Sequence, residues 1–437
     1  MNPDTISLVG LGKLGLCLAA IHAHKGRTVI GIDVAPDVVD NINNGISPVV
    51  EPGLSDLIAE VGGKKLLATL EHKRAVKESD ITILLTATPT LPDGGFSNAH
   101  LENALRALSE ELGNNQKAYH LFVISSTVLP GSIENSFIPL IEKHSGRKVN
   151  EGFGICYDPD FVALGKVIND FMNPDFILIG ESRPEDGKLL ETLHLSICDN
   201  APPVRRMSLA SAEISKVSLN AFITLKISFA NIIGNICEKI PSANPDDVTG
   251  AVGLDKRISP YYFKAGLSYG GTCFPRDTWA FGVVLKNLEI PLDLMLACHK
   301  ANVYQDEMLA EKVIRQCLRL NAKTVGILGL AFKPDTPVIV ESPAIKLIKT
   351  LLDKGIGVVA YDPLAIDNTK KTLAGGIEYA GSVEECMGKA PLNVLTMPSK
   401  EIAKSIYKYN GPQTKVLDCW RILNKADLPE NVGLLDE

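Results

Sequence analysis

The chain has 437 residues, of which 45% are hydrophobic and 22% are charged, a composition typical of a soluble globular protein with two or three domains. Its net charge of −7 argues against nucleic acid or an anionic membrane surface as the main partner, although a locally basic pocket could bind an anionic small molecule. The nine cysteines include no C-x-x-C pair, so the sequence predicts neither a disulfide framework nor a metal site, and a reducing cytoplasm fits best.

The first predicted elements form a nucleotide-binding pattern. An apolar run at residues 5–9 ends in the glycine-rich turn GLGKLG at residues 10–15, a helical pattern follows, and a second apolar run at residues 28–32 ends at Asp33. This order is typical of a dinucleotide site, because the glycines let the backbone approach a pyrophosphate at the helix N-terminus. The acid would accept hydrogen bonds from the adenosine ribose and repel a 2′-phosphate, so we expect NAD and not NADP. The expected cofactor-binding residues here are Gly10, Gly12, Lys13, Leu14, Gly15 and Asp33.

Hydroxyl side chains follow two of the next predicted strands. Apolar runs predict further strands at residues 81–85, 121–125, 154–157 and 176–180. Thr88 and Thr127 come shortly after the first two runs. Because ligands of a doubly wound sheet bind at the carboxyl ends of strands, both are candidates to line the cofactor groove. Each could equally be an N-cap or a turn residue. We expect this NAD-binding, Rossmann-like domain to occupy residues 1–202.

A long helical pattern at residues 208–239 comes next. Polar residues interrupt its apolar part, so we interpret it as a buried helix of a soluble protein and not as a membrane helix; they are Asn220, Lys226, Asn231 and Asn235. Glu213, Lys216 and Asn220 share one face, which is either a solvated stripe or a set of polar groups that faces a cleft. We expect residues 203–318 to form a central helical domain, in which this helix serves dimerisation.

Residues 266–277, GLSYGGTCFPRD, form a glycine-rich loop that carries Cys273. A free cysteine is most often a small buried hydrophobic residue, whereas a thiol in an open, polar loop is suited to act as a nucleophile. The segment before the loop is basic and aromatic, with Arg257, Tyr262 and Lys264. This combination suits a phosphate together with an aromatic base or a sugar, and a surface patch is the alternative.

A second α/β pattern occupies the C-terminal part of the chain. Strands are predicted near residues 324–333, 358–363, 393–396 and 415–418, with a helix at residues 344–354. The first strand ends at Lys333, and its turn lacks a complete G-x-G-x-x-G, so the nucleotide part of a substrate is a better expected ligand than a second NAD. The predicted fold class is α/β, with two Rossmann-like parallel-sheet lobes joined by a long central helix. The C-terminal lobe is expected at residues 319–437.

Taken in order, these motifs resemble those of the UDP-glucose/GDP-mannose dehydrogenase family over essentially the whole chain. The matching motifs are VGLGKLG at 9–15, STVLPG at 126–131, EISK at 213–216 with Asn220, DKR at 255–257, GGTCFPRD at 270–277 and GLAFK at 329–333. The resemblance implies two Rossmann-like lobes, a homodimer built on the long helix, and NAD bound in the N-terminal lobe. It also implies that the C6 alcohol of a nucleotide sugar is oxidised to a carboxylate by two NAD in two hydride transfers.

The resemblance further implies roles for single residues. Cys273 would capture the intermediate aldehyde as a thiohemiacetal, and oxidation would give a thioester that water hydrolyses. Lys216 would stabilise oxyanion character, and Asn220 and Asp277 would position a water for proton transfer. Thr127 would contact both cofactor and substrate. The expected substrate-binding residues are Asp160, Phe161, Lys216, Asn220, Arg257 acting from the partner subunit, Tyr262, Lys264, Gly270 and Lys333.

The chain departs from the family pattern at several positions. The family's N-P-E-F-L-R-E-G reads DPDFVALG at residues 158–165, so Asp160 keeps the first acid and Leu164 replaces the second glutamate. N-acetylhexosamine dehydrogenases of the wider family also lack that glutamate. Val340 replaces a cofactor-contacting arginine, and Arg276 replaces a lysine. The favoured hypothesis is a four-electron dehydrogenase of a UDP-hexose or a UDP-N-acetylhexosamine. The alternatives are a two-electron oxidoreductase without hydrolysis and a nucleotide-sugar and NAD-binding protein with degraded catalysis.

Overall fold

Two units make up the chain, one on each side of the peptide bond between Ser218 and Leu219. The structure, a computed structural model, describes residues 4–292, 294–373 and 375–435. Each unit contains one sheet with helices packed against it, and each is described separately below.

The first unit is built on a mostly parallel sheet. Its strands, within the described residues, are β1 Thr5–Val9, β2 Thr28–Ile32, β3 Leu66–Thr69, β4 Ile81–Leu84, β5 Leu121–Ile124, β6 Gly154–Tyr157, β7 Ile177–Glu181 and β8 Val204–Ser208. They pair in the order β3-β2-β1-β4-β5-β6-β7-β8, and β7 runs antiparallel to β6. Every residue of β4, β5 and β6 is buried, which explains their continuous apolar sequences, since a sheet covered on both faces has no polar side.

Helices cover both faces of this sheet. They are α1 Lys13–His24, α2 Pro36–Asn43, α3 Leu54–Val61, α4 His72–Glu78, α5 Ala99–Gly113, a π-helical turn Ile133–Phe137, α6 Ile138–Ser145, α7 Val167–Met172 and α8 Pro184–Leu195. The buried apolar side chains form two clusters, and neighbouring residues of β5 alternate between them. Val123 belongs to one cluster, and Phe122 and Ile124 belong to the other. This alternation places one core on each face of the sheet.

The strand order fixes where a ligand can bind in this unit. Strands β2 and β3 lie on one side of β1, and β4, β5 and β6 lie on the other. The loops at the carboxyl ends of β1 and β4 therefore leave the sheet in opposite directions and open a crevice between them, which is the usual ligand position in such sheets.

The second unit contains a smaller, fully parallel sheet. Its described strands are β9 Thr324–Leu328, β10 Gly357–Tyr361, β11 Ile377–Tyr379, β12 Leu392–Leu395, β13 Thr414–Asp418 and β14 Val432–Leu434, in the order β11-β10-β9-β12-β13-β14. The described helices from the boundary onward are α9 Leu209–Cys237, α10 Pro245–Gly253, α11 Phe274–Asn287, α12 Leu294–Leu320, α13 Pro343–Asp353, α14 Ile366–Thr372, α15 Val383–Lys389, α16 Lys400–Ile406 and a 3-10 turn Lys425–Asp427. Helix α9 contains the boundary between the two units.

The acid that follows β10 binds backbone N–H groups of two neighbouring loops. Asp362 is buried, and its carboxylate accepts four backbone N–H groups at 2.7 to 3.0 Å, two from the loop after β9 and two from the loop after β10. At the equivalent place in a dinucleotide-binding lobe an acid binds the adenosine ribose. Here the acid stabilises the shape of the loops instead.

The predicted fold class is confirmed, and one helical segment was predicted wrongly. The sequence pattern indicates helix from residue 279 to 320, whereas the structure has α11 and α12 with a break between them. Pro291 explains the break, because proline has no N–H to donate and disfavours helical geometry at the residue before it. The three-domain division stays a prediction, and the first sheet continues to Ser208 in β8.

Within the described residues, α9 is the one helix long and apolar enough to cross a membrane by length and composition. Several polar side chains along it are nevertheless buried: Glu213, Lys216, Asn220, Thr224, Ser228 and Asn231. The hydrogen bonds that four of them make, described below for Glu213, Lys216, Asn220 and Asn231, favour the predicted core helix.

Candidate active site

The turn after β1 has a shape that requires glycine at two positions. Gly10 has φ +96°, and a Cβ there would lie 2.5 Å from the backbone oxygen of Leu85. A Cβ on Gly15 would lie 1.9 Å from the oxygen of Gly10, so α1 can pack against the turn only if residue 15 lacks a side chain. A hydrogen bond of 2.8 Å from Gly10 N to Ile32 O ties the turn to β2.

Gly12 differs from these two glycines because the space beside it is open. It is the N-cap of α1, and a Cβ there would meet no atom of the described structure within 4 Å. No described side chain caps this helix terminus, and its first turn, which begins with Lys13 and Leu14, contains no acid. Uncapped N–H groups beside open space attract an anion, so these residues fit the pyrophosphate of a dinucleotide.

Asp33 lies at the end of β2, where the sequence predicts the ribose-binding acid. Its Oδ2 accepts a hydrogen bond from Leu11 N at 2.8 Å, and its Oδ1 accepts one from Ala35 N at 3.0 Å. The carboxylate therefore holds the glycine-rich turn in place. Each carboxylate oxygen can accept a second hydrogen bond, so a ribose hydroxyl can still bind.

The loops after β4 and β5 are tied together by their hydroxyl groups. Thr88 Oγ1 donates to Thr127 O at 2.9 Å, and Ser126 Oγ donates to Thr86 O at 2.7 Å. Neither Thr88 nor Thr127 caps a helix, because the helices that follow begin at Ala99 and Ile133. The structure thus brings the two predicted cofactor-groove threonines together in adjacent loops.

The loop after β6 contains two acids, of which Asp158 is buried and Asp160 is half-buried. Asp158 Oδ2 lies 2.6 Å from His194 Nε2; burial alone would lower the pKa of His194, but the neighbouring Asp158 outweighs it and the pKa is raised. Asp160 Oδ2 is buried and has no hydrogen-bond partner among the described residues. Burial, together with the charge of Asp158, raises the pKa of Asp160 to about 8. Its carboxyl group is therefore mostly protonated at neutral pH.

Two residues of the predicted polar stripe on α9 hold loops of the first unit. The ammonium group of Lys216 donates to Asp160 O and lies 4.6 Å from the centre of the Phe161 ring. The carboxylate of Glu213 accepts hydrogen bonds from Gly131 N at 2.6 Å and Ile133 N at 3.0 Å. Glu213 and Lys216 are both buried, which rules out the alternative of a solvated stripe.

In the second unit, Cys273 lies at the N-terminus of α11. It is the N-cap of this helix and is exposed, whereas the other eight cysteines are buried or half-buried. Negative charge that develops on its sulfur, or on an oxygen bound there, would be stabilised by the N–H groups of the helix terminus. This placement contradicts the alternative of a buried structural cysteine.

Asp277 lies one helical turn after Cys273, and its N–H donates to Cys273 O at 2.8 Å. Its carboxylate is 1% exposed and accepts hydrogen bonds from Asn220 Nδ2 at 2.6 Å and from Arg276 Nε at 3.0 Å. The structure therefore joins Asn220 and Asp277 in one buried pair, as their predicted shared role requires.

Side-chain amides hold the backbone of the loop before Cys273. Asn302 accepts from Tyr269 N at 2.8 Å and donates to Tyr269 O at 3.0 Å. Asn231 accepts from Gly266 N at 2.8 Å and donates to Leu267 O at 3.1 Å. Gln305 donates to the oxygen of residue 266 at 2.7 Å. These bonds fix the loop where no strand or helix could pair its backbone.

The two glycines nearest to Cys273 are needed for close packing. A Cβ on Gly270 would lie 2.3 Å from Glu341 O, and a Cβ on Gly271 would lie 2.6 Å from the Phe332 ring. Gly271 N also donates to Val340 O at 2.9 Å. At residue 340, where the resemblance implies an arginine, this chain therefore uses the backbone to support the cysteine loop.

The remaining predicted substrate residues lie on several segments of the second unit. The Arg257 guanidinium is exposed and bound to Asp255, and Lys264 Nζ lies 3.9 Å from Asp246 Oδ2. The other two have aromatic neighbours: the Tyr262 ring lies 5.8 Å from that of Phe274, and Lys333 Nζ lies 5.8 Å from the Phe332 ring. No cluster of three or more potential metal ligands occurs in residues 4–292, 294–373 and 375–435.

Three domain models of a single family match the chain in order. They are the NAD binding domain at residues 4–198, the central domain at residues 210–304 and the UDP binding domain at residues 326–425. The chain belongs to the UDP-glucose/GDP-mannose dehydrogenase family. Members of this family oxidise nucleotide sugars with NAD, and this dehydrogenase is an NAD-dependent oxidoreductase of the same class.

Similar proteins match more than four fifths of this dehydrogenase. UDP-glucose 6-dehydrogenase AglM of Haloferax volcanii is 33% identical, over 97% of this chain and 98% of that protein. GDP-mannose 6-dehydrogenase of Pseudomonas syringae is 32% identical, over 82% of this chain and 80% of that protein. The structure of a UDP-glucose dehydrogenase from Pyrobaculum islandicum has a TM-score of 0.88 and 29% identity, and the match covers 98% of this chain and 96% of that one.

Several residues of the site carry no signal that sequence reasoning could use. His194, Asn302 and Gln305 lie in ordinary amphipathic helices, far from the motifs that they support. Glu213 shares a spacing with Lys216, but nothing in the sequence indicates that it binds the loop after β5. Leu164 packs against the apolar core of the first unit, where the family has a glutamate.

Proposed function

We propose that this dehydrogenase oxidises the C6 alcohol of a UDP-hexose or a UDP-N-acetylhexosamine to a carboxylate, with a covalent intermediate on Cys273. The observation that carries the proposal is an exposed thiol at the N-terminus of α11, one turn before the buried Asp277. A UDP sugar is preferred to a GDP sugar because AglM, which matches nearly the whole chain, is a UDP-glucose 6-dehydrogenase.

NAD binding is assigned to the crevice at the carboxyl ends of β1 and β4. The open space at Gly12 and the uncapped terminus of α1 support the pyrophosphate, and Asp33 supports the ribose. Thr88 and Thr127 line the adjacent loops. Bound NAD supplies a two-electron acceptor for each of the two oxidations.

The residues assigned to the reaction have separate tasks. The Sγ atom of Cys273 forms a bond to the aldehyde carbon that the first oxidation produces, and the resulting thiohemiacetal is oxidised to a thioester. Asp277 and Asn220 hold a water that accepts the proton of the thiohemiacetal hydroxyl. Lys216 stabilises the negative charge that develops on the substrate oxygen. A bare aldehyde would diffuse away, so the covalent bond keeps the carbon in place for the second oxidation.

Hydrolysis of the thioester needs a group that takes a proton from the attacking water. As water adds, the bond from carbon to sulfur breaks and the thiolate of Cys273 leaves. With Leu164 packed against the apolar core, Asp160 is the remaining acid of this motif. Since the pKa of Asp160 is raised to about 8, it can accept this proton most readily above that pH.

A two-electron oxidoreductase is the second candidate function, and the packing of Leu164 is the observation that favours it. In that case the enzyme would carry out only the first oxidation, with one NAD, and release the aldehyde. The two candidates differ in the number of NADH molecules formed for each sugar molecule consumed.

The test is a panel of UDP and GDP sugars incubated with purified enzyme and NAD, with NADH measured by absorbance and the sugar products by mass spectrometry. The proposal predicts two NADH and one uronic acid per UDP sugar. One NADH with an aldehyde product would support the second candidate, and NAD binding without turnover on any sugar would indicate degraded catalysis. Cys273→Ala is the matched inactive control.

We further propose that the dehydrogenase is a homodimer. Phe222, Phe229 and Ile236 repeat every seven residues along α9, and their exposed fractions are 62%, 54% and 51%. A seven-residue apolar repeat on one helix face is the pattern by which helices pair. A second copy of the chain would cover this stripe, and the exposed Arg257 would reach the partner's substrate. Light scattering would show a dimer for the native protein and a monomer for Phe229→Glu.

We propose a cytoplasmic location on the basis of the cysteines. All nine cysteines are free, and the proposed reaction needs Cys273 as a thiol. A reducing compartment preserves it. Cell fractionation with an antibody to the protein would test this, and recovery of the protein in the membrane fraction would contradict it.

A further inference from the structure

Glu213 is a fully buried acid whose partners are backbone N–H groups of a functional loop. Its side chain has no exposed surface. Its two oxygens accept from Gly131 N at 2.6 Å and from Ile133 N at 3.0 Å, where the π-helical turn begins. A carboxylate costs free energy when it is buried, and hydrogen bonds to backbone N–H groups repay part of this cost. The position of the loop is therefore coupled to the presence of this carboxylate.

The loop that Glu213 holds is the one that follows β5 and contains Thr127. Thr127 O in turn accepts the hydroxyl proton of Thr88, so the loop after β4 depends on the same support. One helical turn further along α9, Lys216 binds the backbone of Asp160 in the loop after β6. Because β4, β5 and β6 are neighbours in the sheet, the start of α9 holds three adjacent loops at the carboxyl edge of this unit.

We propose that Glu213 is a positioning residue for the NAD site, which it shapes by fixing the loop after β5 in its binding conformation. The proposal rests on the assignment of Thr88 and Thr127 to the cofactor groove. Glu213 does not itself touch the cofactor. It acts through Gly131 N and Ile133 N, and through them on the two threonines.

The ionisation of Glu213 makes this role measurable. Burial raises its pKa to about 7, the two backbone N–H groups oppose this shift, and Glu134 on the π-helical turn adds to it. Above pH 7 both oxygens of the carboxylate accept hydrogen bonds. Below pH 7 one oxygen becomes a hydroxyl and a weaker acceptor, so the loop loses support and NAD affinity should fall as the pH decreases.

The test measures the Kd of NADH by its fluorescence from pH 5.5 to 9, without any sugar. Glu213→Gln keeps the shape of the side chain but offers an NH2 group where one N–H needs an acceptor. At pH 8 we expect its Kd to rise about tenfold, equivalent to about 1.4 kcal/mol, and to depend less on pH than that of the native protein. Glu134→Gln, which removes the exposed neighbouring carboxylate, is the matched control and should stay within about twofold.

A Kd for Glu213→Gln within about twofold of the native value at pH 8 would overturn the proposal. If that variant does not fold, the native protein alone decides, because a Kd that does not change between pH 5.5 and 8 is incompatible with the proposed role. Sugar oxidation is measured separately. A native enzyme that binds NADH but oxidises no nucleotide sugar would refute the proposed function and leave this binding experiment unaffected.

Discussion

Asn302→Leu should show how strongly the cysteine loop depends on its amide supports. Asn302 and Tyr269 are each 5% exposed, and the amide bonds both the N–H and the oxygen of residue 269. Leucine has nearly the same size and cannot make either bond. The substitution therefore leaves one buried donor and one buried acceptor without partners.

An unpaired buried polar group costs about 1–3 kcal/mol, and the burial of leucine recovers part of the loss. We therefore expect a net destabilisation of about 2–4 kcal/mol. For a unit of about 200 residues, each kcal/mol lowers the unfolding temperature by roughly 2–4 °C. The unfolding temperature of Asn302→Leu should thus fall by between about 4 and 16 °C.

Differential scanning calorimetry measures the loss of stability, and the NADH assay measures its effect on catalysis. Because the loop delivers Cys273, we expect kcat to fall at least about tenfold even at temperatures where the variant is folded. Asn431→Ala is the control, since its amide donates to the oxygen of Gly411, which is not part of the loop. If Asn302→Leu unfolds and turns over like this control, the amides do not hold the loop as argued.

Three further predictions concern the cofactor turn and the acids. Gly12→Ala should fold normally, because its Cβ meets no protein atom, but it should bind NADH more weakly, because that Cβ occupies the space assigned to the pyrophosphate. Gly15→Ala should lower the unfolding temperature, because its Cβ would lie 1.9 Å from the backbone oxygen of Gly10. Calorimetry and NADH titration distinguish the two effects. Asp277→Asn should lower kcat by about 10²–10⁴ with an unchanged circular dichroism spectrum, and activity above a tenth of native would contradict its role. Asp158→Asn removes the negative charge that helps to raise the pKa of Asp160, so the rise of kcat with pH should move to lower pH. An unmoved profile would exclude this coupling.

The sequence predicts those parts of the fold that have a strong local pattern. The central strands are continuous apolar runs, and the predicted limits of β1, β2 and β6 agree with the structure. The four strands that the pattern does not predict are β3, β8, β11 and β14, and each lies at an edge of its sheet. An edge strand has one unpaired side and is less buried, as VRRMS in β8 shows, so its sequence need not be apolar.

The residues of the candidate site also fall into two groups, those that the sequence predicts and those that only the structure reveals. Cys273, Asp277 and the glycines of the first turn belong to contiguous motifs, because a turn or a helix terminus is built from neighbouring residues. Asn302 and His194 act over long sequence separations through a single hydrogen-bonding group each. No periodicity or spacing identifies such partners, because only the folded chain brings them to the residues that they support.

The central claim is that the sugar carbon becomes covalently bound to Cys273 between the two oxidations. The most direct measurement is intact-protein mass spectrometry of enzyme quenched with acid during turnover of the best UDP sugar and NAD, followed by peptide mapping. The account predicts a mass increase equal to the mass of the nucleotide sugar minus four hydrogen atoms, as in a thioester on the cysteine, located on the peptide that contains Cys273. It also predicts no adduct in Cys273→Ala. Formation of two NADH per sugar by Cys273→Ala, or an adduct on another residue, would contradict the account.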